Sequence, residues 1–98
     1  MPTPYSEFEW DEYNSGKNLQ KHGVFDEEIE QVFENPNVLM KHKRYPDRRI
    51  VLGITNGGRY LFLSVQYLSQ TCCRPIHARD MEPQESRHDT RMIHGKRR

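Results

Sequence analysis

Residues 48–79 read RRIVLGITNGGRYLFLSVQYLSQTCCRPIHAR, and this stretch decides the fold. β-branched and aromatic residues dominate it, and Asn56-Gly57-Gly58 is the one place where positive φ is easily reached, so it predicts three strands in an antiparallel meander. In the first strand, Ile50, Leu52 and Ile54 alternate with Arg49, Val51 and Gly53, which gives one buried face and one half-polar face. The second, at 59–68, is apolar on both faces near its middle and is expected at the centre of the sheet. The third, at 71–79, contains Pro75, which cannot donate to a ladder, so an edge position or a bulge is expected there. Along the meander run Arg48, Arg49, Arg59, Arg74, His77 and Arg79. Cations fixed on a rigid sheet read phosphate or dock a partner.

Working outward, residues 38–43 predict a further strand and Arg44-Tyr45-Pro46-Asp47 the turn out of it. Before that, Phe25, Ile29, Val32 and Phe33 recur at helical spacing, predicting a helix over 27–34 with Asp26 as N-cap, Asn35-Pro36 as stop, and these side chains in the core. An earlier helix is expected from Asp11, as cap, to Lys21, closed by Gly23. On it Tyr13, Lys17 and Lys21 share one stripe, and Asn14, Asn18 and His22 another. With only Tyr13 and Leu19 apolar, this helix should dock shallowly. Residues 5–10 alternate as a short edge strand would. Downstream, Pro83 opens a helix to about His94, followed by a basic tail. The expected architecture is α+β: a twisted antiparallel sheet, two N-terminal helices on one face and a C-terminal helix near its end. It forms one domain over residues 1–94, with a tail at 95–98 expected to be disordered.

Bulk composition fits that size. Ninety-eight residues, 34% hydrophobic and 30% charged, suit a single modest core. The net charge of +1 conceals an asymmetry: residues 1–40 carry −7 and residues 41–98 carry +8. A basic working face for a polyanion is one reading, and mutual neutralisation in the fold is the other. Cys72 and Cys73 are adjacent and have no other cysteine to pair with, so a reducing cytoplasm is the simplest home. No apolar run approaches the roughly 18–20 residues of a membrane span, and the N-terminus lacks the pattern of a signal peptide.

The five histidines show no metal-ligand spacing, and two neighbouring cysteines do not suit one tetrahedral ion, so no metal is expected. Gly57-Gly58 sits in a hairpin rather than ahead of a helix, which excludes a phosphate loop. What remains is phosphodiester chemistry without metal. Cleaving RNA through its own 2′-hydroxyl needs a base, an acid, and cations to hold the charge growing on phosphorus. His22 and His77 can exchange protons near neutral pH, and Lys21, Arg49, Arg74 and Arg79 can supply the electrostatic part. Lys17, Arg48, Arg59 and Glu85 are the further candidates for substrate contact. The same arginines would equally serve a surface that binds nucleic acid and cuts nothing.

The order of FEWD at 8–11, N-L-x-K-H-G-V at 18–24, R-x-V-x-G at 49–53 and R-P-I-H-A-R at 74–79 resembles the BrnT family, small bacterial toxins of type II toxin–antitoxin pairs. The resemblance covers about residues 8–85. It implies a RelE-like α+β fold and a ribonuclease, independent of metals and cofactors, that arrests translation in the cytoplasm. It also implies neutralisation by a small antitoxin with a ribbon-helix-helix DNA-binding part, operator DNA being engaged only through that partner. Residue by residue it falls on Lys21 and His22, on Arg49, on Arg74, His77 and Arg79, and on Glu85 of the closing helix. Many members carry Ser where His77 stands, and Tyr where Asp89 stands. The rival expectation is a non-catalytic nucleic-acid-binding module, or a toxin remnant that has lost its activity. Two surfaces are open to the antitoxin, the acidic helices and the basic sheet, and the sheet is the one expected, since silencing a nuclease means hiding its cations.

Overall fold

The computed structural model describes residues 5–82. In chain order the elements are β1 (Glu7–Phe8), α1 (Lys17–His22), α2 (Asp26–Glu34), β2 (Asn37–Lys41), β3 (Arg48–Ile54), β4 (Tyr60–Tyr67) and β5 (Cys72–Asp80). The strands form one sheet in the order β1-β5-β4-β3-β2. The predicted meander is present, and β4 lies at its centre as its two apolar faces require. The expected C-terminal helix and Glu85 lie outside the described residues. Among the described residues, no helix is long and apolar enough to cross a membrane.

The sheet is mixed rather than purely antiparallel. β1 runs parallel to β5, pairing Glu7 with Cys72 and Phe8 with Cys73, although two helices and three strands separate them in the chain. It is indeed an edge strand, but only two of the residues expected in it pair. Register slips once, between Ser64 and Val65, where Ser64 faces His77 and Val65 faces Pro75. Ile76 is the extra residue, so the bulge falls beside the proline that cannot donate.

The first helix is shorter than its sequence suggests. The Asp11 carboxylate accepts the Tyr13 amide at 2.8 Å and the Arg74 guanidinium at 2.7 Å, which holds a turn and leaves no cap for a helix. α1 starts only after Gly16 and ends at Gly23, both with positive φ (75° and 69°). Asp26 does not cap α2 either. Its carboxylate reaches back to the Gly16 amide and the Ser15 hydroxyl, while Phe25 takes the cap position and donates its amide to Glu28 Oε1 at 3.0 Å. Phe25 is therefore exposed, against the expectation that it belongs to the core.

The core lies between α2 and one face of the sheet. Ile29, Val32 and Phe33 pack with Val51, Leu61, Leu63 and Val65, and Tyr5, Val24 and Cys73 close the margins. The core-facing side of β3 is thus that of Val51 and Gly53, while Leu52 is buried on the other. A Cβ on Gly53 would stand 2.7 Å from Val32 Cγ1, so this glycine lets the helix approach the sheet closely. Both cysteines are free, and burial pushes the Cys73 thiol up to about 12, making it an inert core residue.

α1 docks by a different device. Its one apolar residue, Leu19, is exposed, as is Tyr13 in the turn before it, and the interface is made by two buried asparagines, Asn14 of that turn and Asn18 of the helix. Asn14 Nδ2 donates to the carbonyls of Glu9 and Pro75 at 2.9 and 3.0 Å. Asn18 Oδ1 accepts the Ala78 amide at 2.9 Å, and its Nδ2 donates to Ile76 O at 3.5 Å. β1 covers only the start of β5, so these side chains pair backbone groups that would otherwise form an open edge.

Candidate active site

On the face of the sheet opposite the core, Ile50, Phe62 and Ser64 floor an open cleft of about 710 Å³. His77 and Arg79 rise from β5, Arg48 from β3, and His22 comes in from the end of α1. The β2–β3 loop contributes His42, Lys43, Arg44 and Tyr45. Of the expected Asn14-Asn18-His22 stripe only Asn18 and His22 lie on α1, since Asn14 belongs to the turn before it. Asn14 and Asn18 both grip the edge of β5, and His22, four residues after Asn18, reaches the cleft.

Electrostatics within the cleft are one-sided. His77 is held below the ordinary imidazole range, first by partial desolvation against the sheet and then by the positive charges of Lys21, Arg48 and His22. Lys21 does not line the cleft, yet its charge acts there. Arg48 stacks over the Tyr45 ring with its guanidinium carbon 4.6 Å from the centroid, and its Nε is buried without a hydrogen-bond partner among the described residues. Arg79 lies 4.1 Å over the Phe62 ring and donates to Asp80 O at 3.0 Å. A neutral imidazole beside fixed guanidinium groups is what acid–base chemistry on an anionic phosphodiester requires.

Arg59 has another occupation. Its Nε donates to Asp80 Oδ1 at 2.6 Å, its Nη1 to Gly23 O at 2.8 Å and Glu28 Oε1 at 3.2 Å, and its Nη2 to His22 O at 3.3 Å. One guanidinium thus joins the end of α1, the first turn of α2 and the end of β5. It fixes the backbone that carries His22, and it is also the first cause of the lowered Asp80 carboxyl, by hydrogen bonding.

Three further predicted residues stand apart. Arg49 points to the core face of the sheet, where it donates to Pro46 O and Arg48 O at 2.9 Å and lies 5.3 Å from the Tyr67 ring centroid. Arg74 pairs with Glu9 at 3.1 Å and Asp11 at 2.7 Å, beyond the bulge. Lys17 is exposed and does not line the cleft. Among the described residues, no three His, Cys, Asp or Glu side chains gather as a metal site would need.

Residues 10–85 match the family described as ribonuclease toxin, BrnT, of type II toxin-antitoxin system. The chain belongs to the BrnT family. The crystal structure of the Brucella abortus ribonuclease toxin, BrnT, is similar to it with a TM-score of 0.62 and 20% identity, covering 78% of this chain and 96% of that one. That identity speaks for a shared fold. A search of curated proteins gives no match. The BrnT family places an RNA substrate and an antitoxin partner beside this chain.

For this BrnT member, the sequence reading missed the β2–β3 loop, taking 44–47 as a turn and no more. The signal was present, since residues 41–45 read KHKRY, every one basic or aromatic. Loops with that composition commonly mark nucleic-acid contact.

Proposed function

We propose that this protein is an endoribonuclease that cleaves RNA by transesterification in the His22–His77 cleft, without a metal ion. The 2′-oxygen bonds to phosphorus as the P–O5′ bond breaks. His77 takes the 2′-hydroxyl proton as base, and His22 delivers a proton to the leaving 5′-oxygen as acid. Arg48 and Arg79, with Lys21 behind them, hold the charge that gathers on the phosphoryl oxygens. Arg49 and Arg74, which lie outside the cleft, have no part in this scheme. The observation that carries the reading is the meeting of His22, His77, Arg48 and Arg79 in one cleft.

Translation stops because messages are cut, and a ribbon-helix-helix antitoxin silences the enzyme by covering the same cations. It is that antitoxin, rather than the toxin, which contacts operator DNA. The test is to incubate the purified protein with RNA in excess chelator and analyse the ends. Products with a 2′,3′-cyclic phosphate and a 5′-hydroxyl are expected. Ends carrying a 5′-phosphate, or no cleavage at all by a protein freed of its antitoxin, would overturn the proposal.

A further inference from the structure

Tyr45 stands on the rim of the cleft, 43% exposed, and the loop beneath it is unusually well tied. The Arg44 and Tyr45 amides both donate to His42 Nδ1, at 3.1 and 3.3 Å. The His42 amide donates to Arg48 O, and the Arg48 amide to Tyr45 O at 3.1 Å. Asp47 O accepts the Tyr67 amide at 2.7 Å, and the Asp47 carboxylate accepts from Gln66 at 3.0 Å. Arg48 lies over the Tyr45 ring, and the His42 ring stands 5.2 Å away at an interplanar angle of 49°. This exposed ring thus stands on a loop tied by six hydrogen bonds and lies under one cation, between Lys43, Arg44 and Arg48.

A rigid exposed ring flanked by cations is how proteins hold an unpaired base: the ring stacks on the base, and the cations follow the phosphates on either side. A peptide ligand would use an apolar pocket or an open strand edge, whereas this ring is flanked by Lys43, Arg44 and Arg48, which suits a phosphate backbone. From this geometry we propose that Tyr45 is the platform on which a nucleobase next to the scissile phosphate stacks, so that the substrate is single-stranded RNA at that position. The proposal rests on the ribonuclease reading of the same cleft. It adds a binding element that neither the catalytic pair nor the sequence motifs include. A cleft of about 710 Å³ falls within the roughly 300–1,000 Å³ usual for small-molecule sites, which leaves room for a base as well as a phosphate.

The experiment measures binding of a fluorescent single-stranded oligonucleotide that carries 2′-deoxyribose at the cut position and therefore stays intact. Titrations are made at several salt concentrations with the full chain and with its Y45A, Y45F and R48M variants. Losing one stacked base weakens binding by about five- to 150-fold. Y45A should show that loss with an unchanged salt slope, and Y45F should bind as the parent does. R48M should instead reduce the slope by about one. An abasic nucleotide beside the cut should weaken the parent and leave Y45A indifferent.

Y45A binding as tightly as the parent, or losing affinity only through a smaller salt slope, would overturn the platform while leaving the nuclease standing. So would a Y45A variant that loses its antitoxin and keeps its RNA. A parent that neither binds nor cuts RNA would sink the nuclease reading itself, and the platform with it.

Discussion

The Ala78 amide donates to Asn18 Oδ1 at 2.9 Å, in a fully buried setting, and this bond ties the first helix to the last strand. Asn18→Leu keeps the volume roughly constant and leaves the Ala78 amide and the Ile76 carbonyl without partners. A buried group left unsatisfied costs about 1–3 kcal/mol, so a Tm lower by on the order of 10 °C is expected for a domain of this size. Thermal denaturation followed by circular dichroism checks it. An unchanged Tm would mean that the edge of β5 finds another cover.

Arg59 holds the backbone of His22 and Gly23 against Asp80 and Glu28, so it should act on rate through position. Misplacing a catalytic group by about 1 Å costs on the order of a hundredfold. Arg59→Met is expected to lower kcat by about that factor with KM unchanged, measured well below its melting temperature. A variant that loses affinity and keeps kcat would return Arg59 to the substrate contacts named from the sequence.

His77 carries a prediction in pH. Its pKa lies below the ordinary imidazole value of 6.5, so the neutral base persists to lower pH, and the acid limb of kcat/KM should turn below that value. Lys21 is one of the charges that lower it. Removing a nearby cation makes protonation easier, so Lys21→Gln should move the acid limb to higher pH. A limb that stays in place would show that the titrating base lies elsewhere. Stability follows the same sign: the neutral imidazole costs the fold nothing above the unfolded pKa. As pH falls below 6.5, the unfolded chain takes up a proton that the folded one resists, and stability is lost.

Much of this architecture was legible because residues 48–79 alternate with a period of two and turn at a glycine pair. Pro75 announced its own bulge. The start of α1 was not legible, because Asp11 has a competing partner in Arg74, 63 positions away, and a sequence read locally gives no sign of it. Asp26 misled for the same reason, its carboxylate being drawn to Gly16 and Ser15. Of the residues named for their chemistry, His22, His77 and Arg79 line the cleft. Arg49 and Arg74 look equivalent to Arg48 in composition, yet strand parity turns Arg49 to the other face and the Glu9–Asp11 pair occupies Arg74. The spacing of Asn14 and Asn18 is visible in the sequence, but that Asn14 sits in a turn, and that both side chains grip β5, depends on contacts about 60 positions away.

The two arginines Arg48 and Arg74 give the most direct test of the central claim that chemistry occurs in the His22–His77 cleft. Both are on strands of one sheet, but only Arg48 lines the cleft. The measurement is the initial rate of cleavage of a single-stranded RNA by folded Arg48→Met and Arg74→Met. Losing a charge-stabilising donor costs about a hundredfold to a thousandfold, so Arg48→Met should fall by that much while Arg74→Met cuts at the parent rate. The reverse order, with Arg74→Met inactive and Arg48→Met untouched, would place the reaction elsewhere on the sheet and contradict the account.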